Sequence, residues 1–146
     1  MESRKEYRKK YYQEHRYDLC KNLINDGTHK RLILLYENHG NEINKYLLKY
    51  PFDEFGDKTI KKHLYRMQIY KSNSIYDDCY DAGMTAYLYS VYQCASTAKD
   101  YVVPYINKVV RIYILCAIVV ANEVKNICKE NNFKTIYLDK YDKEAY

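Results

Sequence analysis

The feature that most constrains the fold of this chain is an apolar stretch at residues 102–128, VVPYINKVVRIYILCAIVVANEVKNIC. Residues 112–121 are apolar on every side of a helix, which is typical of a helix buried all round in a protein core or in lipid. This segment spans about 15 Å, roughly half the thickness of a bilayer core, and Arg111 and Lys108 precede it. The stretch therefore predicts the central helix of a soluble fold, and we do not expect it to contact a membrane.

The composition is that of one folded domain. The chain has 146 residues, of which 47% are hydrophobic and 29% charged, so it has enough apolar side chains to form a core. No segment alternates between apolar and polar residues as the strands of a half-buried sheet do. We therefore predict an all-α fold and a single domain over residues 1–146, with sub-modules at 1–71 and 74–130 and a tail at 131–146.

Six helices are predicted from apolar residues that recur at helical spacing. Gly27, Gly40 and Pro51 separate the first four of them, because glycine and proline end helices, and Thr28 is the predicted N-cap of the second. In the tail, residues 135–138 (TIYL) are a candidate for a short strand. The predicted helical ranges are residues 3–25, 30–38, 42–50, 58–71, 75–98 and 102–128.

The fifth and sixth helices are predicted to form an antiparallel hairpin. Small side chains allow the axis of a second helix to approach closely, and the apolar helix that follows the fifth helix is the nearest partner. The small residues recur at intervals of four along one face of the fifth helix: Ala82, Ala86, Ser90, Cys94 and Ala98.

Several classes of function lack their usual motifs in this sequence. The five cysteines form no C-x-x-C pair and lie among apolar or small neighbours, so we predict free thiols in a reducing compartment, the cytoplasm or nucleus of a host cell. The four histidines share no helix face with a cysteine or carboxylate at metal-ligand spacing. Glycine-rich phosphate loops and nucleophile motifs are also missing. We therefore predict a non-enzymatic protein with no metal and no cofactor.

Positive charge is concentrated in two segments of a chain whose formal net charge is +5. Residues 2–16 contain six Lys and Arg against three Glu, and residues 57–71 contain five against one Asp. Two basic segments favour a polyanion partner, most simply a nucleic acid, although solvated helix faces have a similar composition. The predicted contact residues are Lys58, Lys61, Lys62, Tyr65 and Arg66 in the second segment and Arg8 and Lys9 in the first.

A pattern of three short helices runs through residues 28–66. A glycine-containing turn separates the first two helices, a proline-containing turn follows the second, and the third helix is the basic one. The positions that define this pattern are His39, Gly40, Ile43, Tyr46, Leu47, Tyr50, Pro51 and the run IKKHLYR at residues 60–66.

These positions resemble a Myb/SANT-type helix-turn-helix of the homeodomain-like class, although the spaced tryptophans of that family are absent. The resemblance implies a helix-turn-helix-like N-terminal half, packed on the C-terminal hairpin, whose third helix lies in the major groove of DNA. We therefore predict a small regulator or nucleic-acid-associated factor that binds DNA rather than RNA and has residues 75–128 available to form a homodimer. The many Tyr, Lys, Asn and Ile residues are typical of an AT-rich genome, viral or protozoan.

Two alternatives for the function stay open at this point. An all-α domain around one apolar helix is also similar, in composition and architecture, to viral Bcl-2-like proteins, which bind amphipathic partner helices in a groove. A structural subunit of a larger assembly is the other alternative, with tyrosine-rich helix faces as its contact surfaces. Such faces are abundant, because the chain contains 20 tyrosines and no tryptophan.

Overall fold

The computed structural model of the chain describes residues 3–24 and 26–130, apart from the side chains of Asp26 and residues 124–130. The described part is all-α, as predicted, and contains five α-helices and no strand. The predicted tail at 131–146, with its candidate strand, and the side chain of Cys128 lie outside the described residues. The elements are α1 (Arg4–Ile24), α2 (Asp26–Lys49), a π-helical turn (Phe52–Gly56), α3 (Asp57–Arg66), α4 (Tyr76–Thr97) and α5 (Val102–Glu130).

Helices α4 and α5 form the predicted antiparallel hairpin, and their packing is the most extensive in the described fold. Near the turn, the Lys99 ammonium lies 4.3 Å from the ring centroid of Tyr105. Further along the pair, the rings of Tyr89 and Tyr113 stack with their centroids 6.4 Å apart. The separation in sequence grows with distance from the turn, as it does in an antiparallel pair.

The row of small residues in α4 lies in the core, as predicted, except at its last position. Ala98 follows the end of α4 in the left-handed conformation, with a φ of 51°, and the Lys99 N–H caps the helix by donating to the Cys94 carbonyl at 3.1 Å. Ser90 satisfies its buried hydroxyl by donating to the Ala86 carbonyl at 2.6 Å. The buried members of the row are Ala82, Ala86, Ser90 and Cys94.

Helix α5 is buried on one face and not all round, which differs from the expectation for so apolar a helix. Ile106, Val110 and Ile114 are fully buried, whereas Ile112 and Leu115 on the opposite side are 38% and 39% exposed. The reason is the number of neighbours, because α4 covers one side and α1 and α3 flank it. The segment Val102–Glu123 has the length and composition of a membrane span, a property that core helices of soluble proteins share.

The second and third predicted helices are joined in one kinked helix, α2. The predicted break lies at a kink where His39 has non-helical angles, φ −135° and ψ 26°. Helix α2 packs along α4 on both sides of this kink, with the Tyr36 ring 6.1 Å from that of Tyr92 and Ile43 fully buried. Packing against a straight helix keeps the two halves nearly continuous where local sequence signals favour a stop. Thr28 lies within α2 and is not its N-cap.

Helix α1 lies along α5 in the antiparallel sense and is held at its C-terminal end. Cys20 is the buried residue of α1, and its thiol forms a hydrogen bond with that of Cys116 in α5. Just beyond α1, the hydroxyls of Thr28 and Tyr113 share a buried hydrogen bond of 3.0 Å. The contacts of α1 therefore move toward the start of α5 as the chain leaves α1.

Helix α3 ends at Arg66, before the predicted end at residue 71. Gln68 takes the left-handed conformation with a φ of 59°, and the Ile69 N–H donates to the Leu64 carbonyl at 2.9 Å. This hydrogen bond and the burial of Ile69, which is 5% exposed, are the marks of a Schellman end. The apolar residue that suggested a longer helix instead closes it from outside.

Aromatic rings and one glycine fix the π-helical turn that precedes α3. The rings of Phe52 and Phe55 lie 5.7 Å and 6.5 Å from the ring of Tyr87 in α4, so both Phe residues are anchors, as predicted. A Cβ on Gly56 would lie 2.9 Å from the Tyr87 ring. A side chain at residue 56 would therefore push the start of α3 away from α4.

Gly83 determines how closely α3 approaches α4. A Cβ at this position would lie only 2.8 Å from Cγ2 of Ile60, a fully buried residue of α3. The absence of a side chain at residue 83 therefore lets Ile60 pack directly on the backbone of α4. Gly40 is different, because a Cβ there would meet the Tyr36 ring at an ordinary 3.7 Å.

We predict opposite effects for alanine at these two helical glycines. Gly83→Ala should lower the free energy of unfolding by about 1–3 kcal/mol, because overpacking against Ile60 outweighs the helix propensity of alanine. Gly40→Ala should be neutral or raise it by up to about 1 kcal/mol. Urea denaturation followed by circular dichroism measures both. Equal stability of the two variants would contradict the close packing of α3 on α4.

Candidate nucleic-acid interface

The N-terminal end of α3 is tied to α4 by Asp57. Its carboxylate accepts a hydrogen bond of 2.5 Å from the Tyr80 hydroxyl and an ion pair of 3.0 Å from the Lys61 ammonium. The Tyr80 hydrogen bond, followed by the Lys61 hydrogen bond, lowers the pKa of Asp57. Burial and the bond to Asp57 raise the pKa of Tyr80 to about 12. The phenol therefore stays protonated and donates at neutral pH.

The middle of α3 is tied to α5 by His63 and Asn107. The Asn107 amide nitrogen donates to the Val103 carbonyl at 3.0 Å, which leaves its oxygen to accept. That oxygen lies 3.0 Å from Nε2 of His63 and 3.3 Å from the Lys62 ammonium. Nε2 of the imidazole is therefore the protonated nitrogen that donates to Asn107. These contacts set the rotation of α3 about its own axis.

The rotation places every predicted contact residue of α3 on its outer face. Ile60 and Leu64 are buried against the hairpin, and the buried Thr59 donates to the Phe55 carbonyl at 2.9 Å. The outer half contains four cations and one aromatic ring, with no carboxylate among its exposed side chains. The exposed residues of α3 are Lys58, Lys61, Lys62, Tyr65 and Arg66.

Arg111 of α5 extends this cationic face, and the sequence analysis did not include it. Burial is the main cause that lowers the pKa of His63; the hydrogen bond to Asn107 opposes it, and the charges of Lys62, Arg66 and Arg111 lower it further. The charged groups that act on His63 are thus all cations. The available signal was spacing, because Arg111 follows Asn107 by one helical turn on α5. We call Lys58, Lys62, Arg66 and Arg111 the cationic face.

Lys61 contributes less free charge than the members of the cationic face. It is 52% exposed and pairs with Asp57 one turn earlier on the same helix. Tyr65 lies near the centre of the exposed half, 72% exposed, and its ring meets that of Tyr70 edge-on at 6.1 Å. An aromatic side chain supported in this way offers a flat surface beside the cations.

Arg8 and Lys9 are exposed, as predicted, but the fold does not bring them to the cationic face. Arg8 lies about 18 Å from Cys20 along α1, at the rise of an α-helix, toward the C-terminal end of α5. Asn107, which contacts α3, lies about 13 Å from Cys116 toward the opposite end of α5. The two basic segments are therefore about 30 Å apart along the hairpin.

The support beneath α3 comes from the hairpin. Helix α3 packs on α4, α5 and the π-helical turn, whereas α2 packs mainly on α4 and α1. Within the described residues, no group of three or more His, Cys, Asp or Glu is arranged to hold a metal ion. The interface therefore consists of a short cationic helix on a helical platform.

Comparison of the chain with protein-family models, with curated proteins and with solved structures finds no match to any of them. The assignment of a function therefore depends on the geometry and charge of the described residues.

We predict that His63 makes the fold sensitive to mild acid. Its pKa in the folded chain is below the usual 6.5, so protonation favours the unfolded chain. Stability should be full above that value and fall as pH decreases through it toward the lower folded-state pKa. Asp57 acts in a separate window, because its stabilisation is lost only below the usual value of 3.8.

Urea unfolding at about pH 7.5 and about pH 5 measures this effect. The loss of unfolding free energy between these conditions should be smaller in His63→Gln than in the wild type. His29→Gln, at an exposed position, is the matched control and should keep the wild-type loss. The same loss in all three proteins would exclude His63 as the cause.

Proposed function

We propose that the protein is a non-enzymatic DNA-binding protein that uses the outer face of α3. The observation that carries the proposal is that every exposed side chain of this helix is a Lys, an Arg or a Tyr. A solvated helix face usually mixes both signs of charge, whereas a surface that binds phosphates is depleted of acids. The nearest carboxylate on α3, that of Asp57, is engaged by Tyr80 and Lys61.

The dimensions of α3 suit the major groove of duplex DNA. Its ten residues span about 15 Å, and the groove, about 12 Å wide, admits one α-helix. Lys62 and Arg66 lie on the side of α3 that adjoins Arg111, where cations contact phosphates or guanine edges. Lys58 lies in the first turn, whose free N–H groups also favour a phosphate.

The proposal predicts a specific loss of DNA binding when the cationic face is removed. The triple variant Lys62→Ala, Arg66→Ala, Arg111→Ala should bind a labelled duplex roughly 100-fold more weakly at moderate salt. The slope of log K against log salt should decrease by about 3, because each lost phosphate contact removes about one unit. Fluorescence anisotropy at several salt concentrations measures both quantities.

A second triple variant controls for the change in net charge. Lys30, Lys45 and Lys49 are exposed on α2, and their replacement by Ala removes the same charge from another helix. This control should keep most of the wild-type affinity. Equal weakening by the two triples would reduce the binding to a general charge effect, and a wild type that fails to bind at low salt would refute the proposal.

Binding of a protein partner is the second candidate function, favoured by exposed apolar residues on α2. Ile33, Leu34 and Leu48 are 60%, 56% and 84% exposed. Large apolar side chains on one helix mark contact surfaces more often than ordinary solvated faces. Sedimentation of the wild type and of Leu48→Glu tests self-association through this helix. A concentration-dependent mass that the variant abolishes would support this reading.

A further inference from the structure

Two of the cysteines meet across a helix pair. The thiols of Cys20 in α1 and Cys116 in α5 form a hydrogen bond, and both residues are buried, 2% and 6% exposed. Cys79 and Cys94 are also buried and free, but they lie on α4 about 22 Å apart at the helical rise. The described chain therefore contains one cross-helix thiol pair and two internal control thiols.

The helix that contributes Cys20 is weakly attached to the rest of the fold. Cys20 is the buried residue among the 21 of α1, and residues 4–14 are all exposed. A helix with so few buried apolar contacts opens locally at a lower free-energy cost than the helices of a core. Local opening of α1 exposes Cys20 and uncovers Cys116 without unfolding the α4–α5 hairpin.

We propose that Cys20 and Cys116 are a site of disulfide formation that accepts electrons-withdrawing attack by a low-molecular-weight disulfide such as oxidised glutathione. The bond that forms joins α1 covalently to α5. The hydrogen-bonded pair supplies the proximity that a disulfide requires, and Cys79 and Cys94 lack it. This site is separate from the cationic face and does not depend on DNA binding.

The reaction balances in two exchanges. The thiolate of one cysteine attacks oxidised glutathione, which breaks its S–S bond, forms a mixed disulfide and releases one reduced glutathione. The second cysteine then attacks the mixed disulfide and releases the second glutathione. Overall, two protein thiols are oxidised and one glutathione disulfide is reduced to two thiols, which carry away the two protons.

The closed fold protects the pair and the open one exposes it to oxidant. Burial, followed by the hydrogen bond from Cys20, raises the pKa of Cys116 to about 12, so this thiol is protonated and unreactive in the closed fold. Opening of α1 removes both causes. Formation of the disulfide is therefore expected at the rate at which α1 opens, with the hairpin still folded.

Peptide mapping tests the proposal on the full chain. After incubation with oxidised glutathione, alkylation and trypsin digestion, mass spectrometry should find residues 17–21 linked to residues 112–125. Cys79 and Cys94 share the peptide of residues 72–99 and should be alkylated as free thiols. Cys20→Ser should abolish the linked peptide, and Cys94→Ser should leave it unchanged.

Two further measurements keep the test decisive. Closing so long a loop should raise the Tm of the oxidised chain by roughly 10 °C, and amide hydrogen exchange in α1 should slow. Exchange in the reduced chain reports whether α1 opens before α4. Absence of the linked peptide after the α1 amides have exchanged, isolated mixed disulfides on either thiol, or α1 amides as protected as those of α4 would each overturn the proposal.

Discussion

Close packing of α3 and α5 on α4 is the constraint on which the rest of the structure depends. Ala86 and Gly83 keep side chains out of the space between the helices, so that Ile60 meets the backbone of α4. Burial of Ile60 and Leu64 contributes about 1.5–3 kcal/mol each, whereas an exposed ion pair such as Lys61–Asp57 contributes at most about 1 kcal/mol. Apolar packing therefore holds α3 in place, and its charged side faces water as a consequence.

Polar contacts determine the details that packing leaves open. A ten-residue helix on an apolar platform can rotate by a fraction of a turn with little loss of buried area. The hydrogen bond between His63 and Asn107 and that between Tyr80 and Asp57 fix this rotation from two sides. The rotation that results places the cations of α3 beside Arg111 of α5.

Helices α1 and α3 show two ways in which a basic amphipathic segment joins a fold. Helix α3 buries four of its ten residues and gains a fixed orientation. Helix α1 buries Cys20 and depends more on local helix preference, which is marginal for an isolated helix of this length in water. Charge on α3 is therefore presented in one geometry, while charge on α1 is attached near one end.

The sequence by itself determined the all-α class, the hairpin of α4 and α5 and the exposed face of α3, because helical periodicity directly reports which side of a helix is apolar. Tertiary structure decided the continuity of α2 through His39, the early end of α3 at Gln68 and the open side of α5. It also decided that Arg111 joins the cations of α3. Periodicity does not state which neighbour covers an apolar face, and a left-handed Gln carries no local signal of the kind that glycine gives.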